Sequence, residues 1–337
     1  MNLLGSQTEA VGEMTTTIVP EEERLRSETL EFSSCRTLRE GENMKIKKFY
    51  LVFLIVAASL VSAACGSDSS SEQVSVSSVS SDVEVAERII SLSPTATEIL
   101  FAIGAGDRVI AVDDQSNFPE EAPMTSLSGY TPNIEAISEY EPDLVVASYD
   151  PGDLVSGLEA LSVATLLQET AGSMEDTYSQ IDKLGEITGR ESAASELIEE
   201  IKSELNKIAS TKIGEGLSYY HEIDNTYYSP TSSTFLGKLY SLLGLSNIAD
   251  PAIEGGFGWP QLSSEFIVDA NPDLIFLGDA DWGESAETVA QRPGWGTMTA
   301  VKNNQVIPVD TDTSGRWGPR VVDFLSSVHL AIEKIIG

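Results

Sequence analysis

The chain has 337 residues, with 53 Asp and Glu against 20 Lys and Arg, a net charge of −33 and 41% hydrophobic residues. That length suits two domains of ordinary size, and that apolar content is enough to build real cores. The acidity excludes a nucleic-acid binder and a basic-patch lipid binder, because both work by neutralising phosphates; two His and two Cys leave little material for a zinc cluster or a disulfide framework.

Residues 1–43 hold nine acidic and four basic residues and no sustained apolar period. A secretory signal works from the extreme N-terminus, so this preface is expected to be an unstructured extension or a mis-assigned start, with translation beginning at Met44. From there Lys45, Lys47 and Lys48 form a basic segment, followed by an uncharged, mostly apolar run over residues 49–64. The run is short of the roughly 20 residues of a membrane span and suits the core of a signal peptide over residues 44–64. It ends in Ser62-Ala63-Ala64-Cys65. Small residues directly before a cysteine resemble the lipobox of bacterial lipoproteins, which implies lipidation of Cys65 and anchoring to the outer face of the cytoplasmic membrane. Residues 65–87 follow as a Ser-rich linker. From Cys65 onward the chain carries 44 acidic and 13 basic residues and a single cysteine.

Order is expected from Arg88. Ile89-Ile90-Ser91-Leu92 is a short apolar strand, and Thr95 with Glu98 forms a capping box for a helix running from Glu98 to Ile103. Further strands are expected at Val109-Ile110-Ala111-Val112, at Leu144-Val145-Val146-Ala147 and over residues 164–167. Apolar strands alternating with helices imply parallel strands covered on both faces. Residues 192–210 have Leu197, Ile198, Ile201, Leu205 and Ile208 at helical spacing with no Gly or Pro, the pattern of one long helix. The alternation then restarts with strands at residues 219–223, 274–277 and 306–309, a helix at 235–243 and a C-terminal helix at 321–336.

An internal echo organises the chain. Glu135-Ala136-Ile137 with Pro142-Asp143-Leu144-Val145 recurs as Glu265-Phe266-Ile267 with Pro272-Asp273-Leu274-Ile275, every matched position offset by 130. Two copies on either side of one long helix imply two similar α/β lobes: residues 88–190, the joining helix 191–211, and residues 212–337.

Ser91-Leu92-Ser93-Pro94 with Thr97-Glu98, the two Glu and Pro-Asp-Leu copies, Trp259-Pro260-Gln261, and Gly318-Pro319-Arg320-Val321-Val322 together resemble the substrate-binding proteins of bacterial iron-chelate and cobalamin importers. The resemblance runs from Arg88 to the C-terminus. It implies the class III periplasmic-binding-protein fold, in which two lobes with parallel central sheets are tied by a single rigid helix and hold a ligand in the cleft between them. It also implies a monomeric, non-enzymatic protein without a cofactor, delivering a corrinoid, ferric siderophore or haem to an ABC permease driven by an ATPase. The cobalamin-binding members are the nearest likeness. Trp259 matches a ligand-contacting tryptophan there, and Asp312 and Arg316 fall at pocket positions. Gly129 stands where those members have a second tryptophan, and Gln115 where they have a tyrosine. In the family, acids at the positions of Glu135 and Glu265 dock to the permease.

The residues themselves support a flat apolar ligand. Trp259 follows Gly255-Gly256-Phe257-Gly258, and Tyr130 is flanked by Gly129 and Pro132, settings where ligand contact competes with local packing as the explanation. Tyr149 lies at the end of a parallel strand, where α/β pockets form. One of Tyr227 and Tyr228 is expected to face the cleft, with Tyr228 preferred. Trp317 is expected at the ligand with Asp312, and Arg316 beside it either meets an acidic group of the ligand or pairs with Asp312; Arg320 is expected to be structural. Direct metal binding through His221 or His329 is disfavoured, since such a site needs several converging His and carboxylates. No nucleophile elbow, phosphate loop or dinucleotide fingerprint is present.

Overall fold

The computed structural model describes residues 85–252 and 258–337, all within one compact unit. The expected extension, signal peptide, lipidated Cys65 and nearly all of the linker lie outside the described residues, as do Gly255, Gly256 and Phe257. No helix among the described residues is long and apolar enough to cross a membrane.

Strand β1 (Ile89–Leu92) is buried at every position. Helix α1 (Pro94–Ala102) follows at once: the Ser93 side chain accepts the Ala96 N–H, and Pro94 occupies the first turn, where a missing N–H leaves nothing unpaired. This corrects the expected capping box. The helix starts four residues before Glu98, and Thr95 and Glu98 are both buried inside it. Strands β2 (Val109–Asp113) and β3 (Met124–Leu127), helix α2 (Ile134–Ser138), strand β4 (Leu144–Ala147), helix α3 (Leu154–Ala160) and strand β5 (Ala164–Leu167) complete the first sheet. Its strands are all parallel, in the order β3-β2-β1-β4-β5.

Two long helices come next: α4 (Met174–Thr188) and α5 (Glu191–Ala209). The second matches expectation; the first is an addition. The buried positions of α4 are Thr177, Ile181, Leu184, Gly185 and Thr188, a helical period filled mostly by residues that carry no apolar signal. Gly189, at φ 61°, ends α4 in the left-handed conformation. Gly185 lets the pair pack closely, because a Cβ there would fall 2.5 Å from Cβ of Ala194 on α5.

The second half repeats the scheme with β6 (Ser218–Glu222), α6 (Phe235–Leu242), β7 (Ser246–Asn247), α7 (Ser264–Ala270), β8 (Leu274–Leu277), α8 (Ala286–Gln291), α9 (Thr299–Lys302), β9 (Val306–Pro308), α10 (Thr311–Gly315) and α11 (Val321–Ile336). Its sheet is also parallel, ordered β7-β6-β8-β9. The structure explains the echo. Asp143 accepts the backbone N–H groups of Glu87 (2.9 Å) and Arg88 (3.0 Å), stapling β4 to the start of β1. Asp273 accepts the N–H (2.8 Å) and hydroxyl (2.7 Å) of Ser218, stapling β8 to the start of β6. One continuous core joins Ile89, Leu100 and Val146 through Ile201 and Leu205 of α5 to Tyr219, Phe276 and Phe324. The chain is thus two α/β lobes with parallel sheets, tied by the long helix α5.

Candidate functional site

In open parallel sheets, ligands bind outside the carboxyl ends of the strands. Three of the sequence-selected aromatics lie in loops at such ends. Tyr130 follows β3 and is 74% exposed; Tyr149 follows β4 and is 51% exposed. Tyr228 follows β6, within a short antiparallel ribbon formed with the segment around Trp259. The ribbon is held by Ser229 N–H to Pro260 O (3.1 Å), Thr231 N–H to Gly258 O (2.8 Å) and Leu262 N–H to Tyr227 O (3.0 Å), with Tyr228 opposite Gln261. Side chains alternate across such a ribbon. Tyr228 and Trp259 are exposed on it, while Ser229, Thr231 and Leu262 are buried and Tyr227 is partly buried. Tyr227, at φ 72°, packs near Trp295, ring centroids 5.6 Å apart. The choice between the two tyrosines therefore resolves to Tyr228 as the exposed one.

Two large exposed aromatics escaped the sequence reasoning. Trp282 is 72% exposed just after β8, and Phe118 lies in the loop after β2. Trp282 had a legible signal, a tryptophan beside a glycine in the loop after a strand, the kind of setting that selects Trp259 and Tyr130.

Arg316 and Trp317 are engaged with the protein itself. Arg316 is only 9% exposed. Its Nη1 donates to Glu98 Oε1 (2.9 Å), and its Nη2 donates to Gln115 O (3.0 Å) and Asp312 Oδ1 (2.8 Å). Arg320 Nη2 donates to the same Glu98 oxygen at 2.6 Å, and its guanidinium lies 4.3 Å over the Phe118 ring. Asn117 Nδ2 donates to Asp312 Oδ2 (2.8 Å). The expected ion pair of Arg316 with Asp312 is present, and Glu98 is a second partner that the sequence did not suggest. Trp317 Nε1 donates to Gln180 (2.9 Å), and its carbonyl accepts from Thr177 (2.9 Å), both on α4. These bonds draw the segment after β9 onto the loop after β2, so loops at the carboxyl ends of strands from both sheets meet there.

A second charge network lies beneath the ribbon. Glu222, fully buried at the end of β6, is gripped by Arg292 through both oxygens (2.6 and 2.7 Å). Arg292 also donates to Glu284 (2.7 Å) and stacks 4.5 Å over Trp295. Nearby Asp279 is 3% exposed, and neither carboxyl oxygen has a partner among the described residues. Burial, with Glu222 adding to it, pushes its pKa up to about 7. The folded protein therefore keeps a proton that the unfolded chain releases near pH 4, so stability falls as pH rises from there toward 7. Asp279→Asn is expected to remove this slope and to stabilise the protein above pH 7 by about 1–3 kcal/mol. Urea midpoints at pH 5 and pH 8 check it; an unchanged difference between the two overturns it. His221 is buried against Tyr240, with Nδ1 2.9 Å from its hydroxyl, and burial lowers its pKa to about 3, so the ring stays neutral.

Glu135 and Glu265 are exposed in the first turns of α2 and α7, capped by Asn133 and Ser263. Neither forms an ion pair among the described residues.

A family model described as periplasmic binding protein matches residues 89–313. An uncharacterized ABC transporter substrate-binding lipoprotein of Bacillus subtilis is 31% identical over 248 residues, covering 70% of this chain and 77% of that protein. A vitamin B12-binding protein of Vibrio parahaemolyticus is 28% identical over 262 residues, covering 75% and 91%. Among solved structures, a possible iron-binding (periplasmic solute-binding) protein from Staphylococcus epidermidis aligns with a TM-score of 0.64 at 27% identity, covering 74% of this chain and 99% of that one.

Proposed function

The chain belongs to the periplasmic binding protein family, and from that premise we propose that it captures cobalamin or a related corrinoid in the aromatic crevice and hands it to a membrane permease. It is the extracytoplasmic substrate-binding component of an ABC importer, a non-enzymatic transport component whose partners are a permease and an ATPase. The observation that carries the ligand assignment is the exposure of Tyr228 and Trp259 on one hydrogen-bonded ribbon of the second lobe, with Tyr130 and Tyr149 exposed after strands of the first. Flat, rigid rings held in place give an apolar macrocycle a large contact area at little entropic cost. The vitamin B12-binding relative supports the same ligand class. Asp312, Arg316 and Trp317 join this reading as residues that hold the crevice wall, through their bonds to the first lobe. Glu135 and Glu265 serve as the permease-docking acids. Cys65 carries the lipid that tethers a monomeric binding protein to the membrane.

Titration with cyanocobalamin, followed by tryptophan fluorescence and equilibrium dialysis, tests the assignment. Saturable quenching with one equivalent bound is expected. Trp259→Ala is expected to weaken binding about 5- to 150-fold, about 1–3 kcal/mol, while leaving the fold intact. Unchanged affinity in that variant means that Trp259 packs against protein and the pocket lies elsewhere. A purified chain that carries haem or ferric absorption bands, and does not respond to cobalamin, overturns the corrinoid.

A further inference from the structure

The crevice rim carries a one-sided charge. Exposed acids stand in the loops after β2 (Asp114 and Glu121), β4 (Asp153), β8 (Asp281) and β9 (Asp310). The arginines that reach the crevice are already paired. Arg316 and Arg320 share Glu98, and Arg292 holds Glu222 and Glu284. Lys238 also reaches across the lobes, but its ammonium sits on Gly172 O at the surface.

An anionic ligand entering here meets carboxylates first. Recruiting a guanidinium to it requires breaking a pair whose acid, Glu98 or Glu222, is buried and would be left uncompensated. Clefts lined by one sign of charge also focus the field, which raises the barrier further for a like-charged ligand. The exposed aromatic faces, by contrast, favour neutral apolar surfaces and cations.

We propose that the crevice admits only metal chelates of zero or positive net charge, which separates a corrinoid or cationic ferric hydroxamate from haem and from anionic ferric catecholates. The proposal rests on the chelate-binding reading above.

Four probes offered to the full chain test it: cyanocobalamin, a cationic ferric hydroxamate, haemin and a trianionic ferric catecholate, each at low and at 0.5 M salt. The neutral or cationic probes are expected to bind at least about 100-fold more tightly than either anion, with the gap narrowing in high salt. Combining Asp114→Lys with Asp153→Lys, two acids that make no side-chain hydrogen bond among the described residues, is expected to strengthen haemin binding by about 10-fold while leaving cyanocobalamin within about twofold. Haemin or the catecholate binding the native chain as tightly as the neutral probes overturns the charge rule and leaves the chelate reading standing. Failure of all four probes to bind overturns the chelate reading and the rule that depends on it.

Discussion

Replacing Glu98 with alanine is expected to cost about 3–5 kcal/mol of folding stability, the largest effect of any single substitution considered for this chain. One oxygen of Glu98 accepts from both Arg316 Nη1 (2.9 Å) and Arg320 Nη2 (2.6 Å), and the residue is almost wholly buried in α1. Truncation leaves two guanidinium groups facing one another without their shared counter-charge, and Asp312 already holds one hydrogen bond from Arg316 and one from Asn117. The damage acts between lobes, since Glu98 belongs to the first and both arginines to the last segment of the second. Glu98→Gln keeps the shape and an acceptor but not the charge, and is expected to fall between the native chain and the alanine variant. Urea unfolding of the three proteins checks this; an alanine variant within about 1 kcal/mol of native means that the arginines find other partners and the cluster is not a keystone.

The second large effect concerns transport. Glu135→Ala with Glu265→Ala is expected to lower uptake by the reconstituted importer at least about 10-fold while leaving ligand affinity within about twofold. The two acids occupy equivalent places. Each lies in the first turn of a capped helix, and each helix leads to a Pro-Asp staple and a buried strand. A carboxylate there is favoured by the helix dipole by a few tenths of a kcal/mol, which is the alternative reason for its presence. Two matched, exposed acids on a body tied by one helix suit a permease with two-fold symmetry and an arginine cluster facing each. A single exposed pair is weak, but two held at a fixed spacing reinforce one another. Normal uptake by the double variant, or lost ligand affinity, overturns the docking role.

Much of the architecture was legible because it rests on local pattern. The apolar runs of β1, β4 and β8, the spacing that makes α5, and the Pro-Asp echo at an offset of 130 all lie within windows that single-chain periodicity reads well. The apolar signal of helix α4 is weak, because three of its five buried positions, Thr177, Gly185 and Thr188, add nothing to it. The start of α1 was misplaced because Thr95 and Glu98 satisfy a capping pattern in sequence, while Ser93-Pro94 performs the capping in the fold.

The site divides along the same line. The residue types and their loops followed from the sequence: aromatics beside glycine and proline, directly after strands, mark places where large rings are not needed for a core. Which ring faces outward was decided by the tertiary structure, since only the ribbon pairing of Tyr228 with Gln261 turns Tyr227 inward onto Trp295. The same holds for charge. Glu98 and Arg316 are 218 residues apart, and nothing local to either announces the other. Periodicity reports what a segment buries against its own neighbours; the partner of a buried charge is set by which distant segments the core brings together, and that information exists only once the two lobes are folded against the same helix.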